Sequence, residues 1–277
     1  MRTVLTWLYV PGDRPDRFDK ACTSGTDVVV IDWEDAVLGR NKQTARTQTV
    51  DWLSTHEHNV AVEIRINAVG SAEYQLDVAA LRDCPGVSSV RLPKVESSAQ
   101  VMTAAADLPE SISLVCLLES ALGVEEAFSI ARSPRAMRIG LGEADLRADL
   151  GVRGEGQLEW CRARVVVAAR AAGLEPPAMS VYTSIDDLDG LADSCRQGRD
   201  AGMLGRAAIH PRQLDVIRRC FRPDADELAA ARATLADMSD AVADGSGVFV
   251  DRNGRMIDAA VVRSAQRTVG LVDSPTS

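Results

Sequence analysis

The chain has 277 residues, 46% of them hydrophobic and 26% charged, an ordinary soluble globular composition with enough apolar material for a sizeable core. Its net charge of −9 and pI near 5.0 argue against nucleic acid as the main partner, because phosphate binding needs a basic surface. Six scattered cysteines (Cys22, Cys84, Cys116, Cys161, Cys195 and Cys220) form no CxxC pair or metal-ligand spacing, and no apolar run approaches membrane-spanning length.

Strand-like runs alternate with longer amphipathic segments along the chain. Residues 4–10 read as a strand and PGDRPDRFDKA begins a helix. The strand starts so early that it leaves no room for a signal peptide, and a cytoplasmic location is expected. Strands follow at 27–32, 60–66, 87–92, 112–118 and 136–141, with helices at 41–53, 74–81, 97–106 and 124–132 between them. A helix at 158–172 precedes strand 178–181, then helix 185–199, strand 205–209 and helix 211–221. These near-continuous apolar runs suit a parallel sheet buried on both faces. Eight βα units over about 220 residues predict an α/β fold of the TIM (β/α)8 barrel type, with an open doubly wound sheet as the alternative. No internal repeat is visible, which argues against a solenoid. Residues 224–243 read as an Ala-rich helix, followed by a Gly-punctuated turn or hairpin and a further helix from about Asp258. The expected division is a catalytic barrel over 1–222 and a helical and hairpin extension over 223–277, serving as lid and oligomerisation element.

Chemistry is expected where the strands end, because reactive side chains of a parallel barrel lie at that face. LVCLL runs into Glu119, and MRIGLG runs into Glu143 and Asp145. A carboxylate straight after a buried strand is costly unless paired, solvated or bound to a metal. Two of them on neighbouring strand ends offer the oxygens a hard cation such as Mg²⁺ requires. The remaining strand ends are also polar: Asp32, Glu34 and Asp35 after the second, Arg65 and Asn67 after the third, Lys94 and Glu96 after the fourth, Tyr182 after the seventh and His210 after the eighth. One such end would mean little; a succession rich in carboxylates, with an arginine among them, indicates a shared metal and anion site.

The motifs LYVPGDRPDRFDKA, VVVIDWEDAV, VEIRINAVG, VRLPKVES, VCLLESALGV, GLGEADLRADLG, SCRQGRDAGMLGRAAIHPRQL and NGRMID occur in this order over nearly the whole chain. Together they resemble the citrate lyase beta-subunit-like family, within the HpcH/HpaI aldolase and malyl-CoA and citramalyl-CoA lyase superfamily. The resemblance implies a TIM barrel that makes or breaks a carbon–carbon bond beta to a thioester, using Mg²⁺ as cofactor. It implies Mg²⁺ ligation by Glu119 and Asp145, and substrate contact at Glu119 and Tyr182. Arg65 would act on substrate oxygens, with Asp35 and Glu34 holding metal-bound water. Arg14, Arg17 and Lys20 would contact coenzyme A, and Asp258 would reach a neighbouring subunit's site as general acid/base. The implied partners are an acyl-CoA or acyl-carrier-protein thioester and a small keto acid, handled by a homo-oligomer, trimer or hexamer.

Elementary chemistry points the same way: charge developing on a thioester oxygen needs a preorganised cation, and a planar guanidinium suits a carboxylate. Other readings stay open at this point. Arg17 and Lys20, one helical turn apart, also fit a solvated face. Lys94 fits a pair with Glu34 or Glu96, Glu143 an orienting neighbour, and His56, His58 and His210 surface or rim positions. Gly140-Leu141-Gly142 after a strand mimics a nucleotide-binding turn, but Asp145 stands where the third glycine belongs and would repel a pyrophosphate. Trp33 and Arg91 depart from the family pattern and are expected to narrow or recharge the acceptor pocket. The alternative functions are an aldolase of free keto acids, an acyl-CoA thioesterase and a non-catalytic carrier-protein-binding subunit.

Overall fold

In a computed structural model describing residues 3–82, 84–243, 249–250 and 256–273, the apolar runs form seven parallel strands. These are β1 (Thr6–Pro11), β2 (Val28–Asp32), β3 (Ala61–Arg65), β4 (Val87–Leu92), β5 (Ser113–Leu118), β6 (Ala136–Leu141) and β7 (Arg206–Ala208). Their order across the sheet is β6-β5-β4-β3-β2-β1-β7, so the first six strands neighbour one another in sequence order. That arrangement is the curl produced by successive βα crossovers of one hand. Polar caps start the intervening helices where the sequence changes period: Ser71 accepts from Tyr74 N, and Ser97 forms a capping box with Gln100.

Two expectations are corrected. Residues 178–181 form no strand; Met179 makes a single parallel bridge to Arg206. Pro176 and Pro177 just before it lack N–H groups, so a ladder cannot extend in that direction. The segment is held to β7 by Met179 N donating to Gly205 O and Ala207 N donating to Met179 O, both at 3.0 Å. Toward β6 it relies on side chains: Ser180 Oγ donates to Leu141 O at 2.5 Å and accepts from Glu143 N at 3.3 Å. The helix expected over 124–132 is two short ones, Ala121–Glu125 and Ala127–Ala131, because Glu126 (φ −82°, ψ 5°) leaves the helical basin.

The two faces of the sheet differ chemically. Ile31, Ile64, Val90, Leu114, Cys116 and Ile139 are wholly buried on one face. Alternate residues face the other way, and there the ladder sets Asp32, Arg65, Arg91, Val115 and Arg138 in one row across β2 to β6. The strands are therefore buried on both faces but charged on one.

The chain divides into two compact units, residues 5–218 and residues 219–277 with 1–4. The second contains helices Ala225–Ala243 and Ala259–Asp273, which pack together, and the antiparallel pair Phe249–Val250 and Met256–Ile257. Among the described residues no helix is long and apolar enough to cross a membrane.

Candidate active site

Glu119 follows β5, and Asp145 lies in the first turn of helix Glu143–Leu150, which follows β6. The two strand ends stay joined because Gly142 N donates to Leu118 O at 3.1 Å. Glu119 then lies on the bare α-carbon of Gly142: a Cβ there would stand 2.1 Å from its Oε1. Its Oε2 accepts a 3.0 Å hydrogen bond from Lys94 N. Lys94 turns its backbone to φ 53°, a left-handed conformation costly for a side-chain-bearing residue and concentrated at functional sites.

Glu119 is buried, and its pKa is pushed up to about 7, first by that burial and then by the nearby charges of Glu34 and Asp145. Asp145 is exposed and makes no hydrogen bond or ion pair among the described residues. The helix N-terminus beneath it favours negative charge. Two crowded carboxylates with oxygen lone pairs to spare fit a hard divalent cation that retains several waters. Glu143 does not belong to this set. Arg162 grips it with bonds of 2.8 and 2.7 Å and Arg147 pairs with it at 3.1 Å, so it is neutralised and turned aside.

Opposite the carboxylates lies Arg65. Its Nε and Nη2 donate to Oδ1 and Oδ2 of Asp32 at 2.8 and 2.5 Å, and its Nη1 faces Glu34 Oε2 at 3.0 Å. The guanidinium also lies 5.2 Å from the ring centre of Tyr9. Half of the arginine fork is thus committed to Asp32, a residue that sequence reasoning noted at a strand end but gave no role. The signal was there: Asp32 and Arg65 end adjacent strands and pair in register. Glu34 is buried between Arg65 and Lys94, whose ammonium is bonded to Glu34 Oε1 and lies 3.6 Å from Asp35 Oδ1. Burial raises the Glu34 pKa, with Arg65 and Lys94 opposing. Glu96, the other partner considered for Lys94, instead accepts from Ser120 Oγ at 2.6 Å.

Glu119, Asp145, Arg65 and Asp35 line one cavity of about 1000 Å³ with Arg14, Arg17, Lys20, Tyr182 and His210. Arg14 is paired with Asp16 at 2.9 and 2.8 Å, Tyr182 OH donates to Asp187 at 2.7 Å, and Arg17 and Lys20 are exposed. Trp33 departs from expectation. It is wholly buried on the opposite side of β2 from Asp32, its Nε1 donates to Thr49 Oγ1 at 2.9 Å, and it does not line the cavity. Arg91 does line it, bonded to Glu63 and, at 2.9 Å, to Tyr9 OH. Asp258 lies in the other unit as the cap of helix Ala259–Asp273, accepting from Ala260 N at 2.8 Å and Val261 N at 3.0 Å. Those two bonds lower its pKa. Residues 251–255 of the NGRMID stretch lie outside the described residues.

Comparison with known proteins places this geometry in a lineage. The profile of the HpcH/HpaI aldolase/citrate lyase family matches residues 5–211. The chain is 30% identical to the citrate lyase subunit beta of Leuconostoc mesenteroides subsp. cremoris, over 97% of this chain and 93% of that protein. It is likewise 30% identical to the L-malyl-CoA/beta-methylmalyl-CoA lyase of Cereibacter sphaeroides, over 94% and 91%. A crystal structure of protein CitE from Mycobacterium tuberculosis, in complex with magnesium, acetoacetate and coenzyme A, superposes with a TM-score of 0.82 at 33% identity, covering 97% of this chain and 98% of that one.

Proposed function

Because the chain belongs to the HpcH/HpaI aldolase/citrate lyase family, we propose that it is a Mg²⁺-dependent carbon–carbon lyase, or synthase in reverse, of a 3-hydroxy-dicarboxyl thioester of the malyl-CoA, citramalyl-CoA or citryl-CoA/acyl-carrier type. The observation that carries this reading is the crowding of Glu119 and Asp145 in the same cavity as Arg65. In this reading the curled sheet is a (β/α)8 barrel whose seventh strand is reduced to residues 178–181, and the C-terminal unit serves as a lid in a homo-oligomer of the cytoplasm.

Glu119 and Asp145 would hold the metal, and Glu34 and Asp35 would orient water beside it. When bound, Mg²⁺ supplies Lewis-acid polarisation and a template for the oxygens of a keto or hydroxy acid. Cleavage removes the hydroxyl proton and leaves negative charge on the thioester oxygen. Arg65 meets that charge with the N–H groups it does not give to Asp32, already oriented before substrate arrives. Glu119 and Asp145, occupied as ligands, make poor proton acceptors. The proton therefore goes to Asp258 of an adjacent subunit, freed from its helix cap as the lid closes, and as the carbon–carbon bond breaks to release the oxo acid the enolate takes a proton back at its α-carbon. Arg14, Arg17 and Lys20 meet the phosphates of coenzyme A at the rim of the cavity.

A panel of 3-hydroxy-dicarboxyl thioesters, and of acyl thioesters paired with 2-oxo acids, incubated with and without Mg²⁺ and read by mass spectrometry, tests the proposal. The expected result is Mg²⁺-dependent interconversion of one hydroxyacyl thioester with an acyl thioester and an oxo acid. Release of free thiol alone, or aldol chemistry on free oxo acids without a thioester, would overturn it.

A further inference from the structure

Behind the acidic loop that follows β2 lies a cation that the proposed reaction does not use. Lys42 opens helix Lys42–Thr55 and is half-buried. Its Nζ donates to Trp33 O at 2.8 Å, to Glu34 O at 3.0 Å and to Asn67 Oδ1 at 2.7 Å. An ammonium has three N–H groups, and here each one meets a neutral oxygen. Lys42 makes no ion pair among the described residues. Nor does the helix favour it there, because a cation in the first turn faces the positive end of the dipole.

The oxygen of Asn67 is aimed by its own partners. Asn67 N and Nδ2 both donate to Asp77 Oδ2 at 2.7 Å. A carboxylate only accepts, so the amide nitrogen must face Asp77 and the amide oxygen must face Lys42. Asp77 is wholly buried and is answered by Arg46 Nε at 2.6 Å. The other two oxygens fix the direction of the chain. In a pleated strand successive residues point to opposite sides. The carbonyls of Trp33 and Glu34 instead converge on one nitrogen, so β2 breaks into a turn at this point. The turn delivers Glu34 to Lys94 and, at 3.0 Å, to Arg65 Nη1, and it sets Asp35 on the cavity wall. Glu34 Oε2 is buried without a hydrogen bond, so its hold on Arg65 is an ion pair set by where the backbone puts it.

We infer that Lys42 is a positioning residue: its ammonium clamps the carbonyls of Trp33 and Glu34, and thereby aims Glu34 and Asp35 at the metal site and Glu34 at the guanidinium of Arg65. The bearing on the metal rests on the lyase reading, whereas the clamp rests on the three hydrogen bonds. A tethered cation holds these oxygens more firmly than a neutral donor would, because charge-assisted bonds are the stronger ones.

Lys42→Ala in the full-length protein removes the clamp, and n-propylammonium supplies the part of the side chain that alanine lacks. Amide hydrogen exchange over residues 33–37 should speed up at least about tenfold in Lys42→Ala, while β4 to β6 keep their protection. Mg²⁺ affinity, read by calorimetry, should fall about 10- to 100-fold, the range for groups that orient metal-site residues from behind. n-Propylammonium should restore both, whereas tetramethylammonium, a cation without N–H groups, and n-propanol, a neutral chain, should not. Circular dichroism shows whether the variant is folded. Lys42→Gln, which keeps a donor without the charge, gives the same two readings if Lys42→Ala is not. Unchanged Mg²⁺ affinity in a folded variant, or equal rescue by all three additives, would overturn the positioning role. Protection lost and then restored by n-propylammonium, in a protein whose wild type binds no Mg²⁺, would overturn the lyase reading and leave the clamp standing.

Discussion

The α-carbon of Gly142 is packed against the carboxylate of Glu119, leaving 2.1 Å between Oε1 and the place a Cβ would occupy. The backbone there is at φ −92°, ψ 83°, so alanine is excluded by contact and not by conformation. Gly142→Ala should push the carboxylate off its seat and weaken Mg²⁺ binding about 10- to 100-fold, the range found when metal ligands lose their support. Mg²⁺ titration calorimetry beside urea unfolding checks this. Wild-type affinity in a folded variant would refute the placement of Glu119 as a ligand.

Asp32 holds Arg65 and is itself buried, with further bonds from Glu34 N at 2.9 Å and Ala36 N at 3.1 Å. Removing the arginine leaves a buried carboxylate without its counter-charge. Arg65→Met should cost about 3 kcal/mol of stability in denaturant unfolding. Asp32→Asn in the same chain should recover part of the loss, because the unpaired charge is gone. Asp32→Asn alone should lower kcat more than it raises KM, since it loosens the orientation of Arg65. A change confined to KM would count against that role.

The pH dependence follows from Glu119. Its folded pKa, about 7, stands above the usual glutamate value of 4.5. Between those values the folded chain binds the proton and the unfolded chain does not, so stability falls as pH rises through the window. Without metal, the loss from pH 4.5 to above 7 should amount to roughly 3 kcal/mol from this group. With Mg²⁺ the proton and the metal compete, and affinity should drop about tenfold per pH unit below 7. Unfolding midpoints at several pH values, with Mg²⁺ and with chelator, measure both. A metal-free stability that rises over the window would refute the assignment.

Asp258 caps a helix through two backbone N–H groups. Asp258→Ala should loosen that helix and lower its protection against amide hydrogen exchange. If it also supplies the proton acceptor in trans, Asp258→Ala and Glu119→Ala oligomers, each inactive, should regain activity when mixed under conditions of subunit exchange. No recovery would exclude action across subunits.

The α/β alternation was legible because β1 to β6 are runs rich in β-branched residues or leucine with abrupt ends. Residues 87–92 and 136–141 follow Gly86 and the left-handed Arg135, and those strands have the bounds the sequence predicts. The gathering of Glu119, Asp145 and Arg65 at one cavity was legible for the same reason, since consecutive strand ends must lie side by side. The partner of Arg65 was harder to see, because DWED offers three acids and only strand register selects Asp32. Trp33 was misjudged through the period of two: with Asp32 facing inward, its neighbour must face the helices. The failure of residues 178–181 to form a strand reflects backbone donors missing at two prolines, which apolar periodicity does not register.

The hydroxyl of Ser180 has a wider meaning for how this wall behaves. Elsewhere neighbouring strands are spaced by a repeated ladder of backbone hydrogen bonds; here the spacing depends on side chains, the Ser180 hydroxyl touching Leu141 O and Glu143 N and Arg138 reaching Pro176 O. Through Glu143 N the same hydroxyl also meets the start of the helix that carries Asp145. The wall has a seam, and it runs beside the carboxylates. Adaptation to a wider or narrower acid can therefore proceed by shifting that seam, leaving the ladder from β1 to β6 and the Arg65–Asp32 pair as they are.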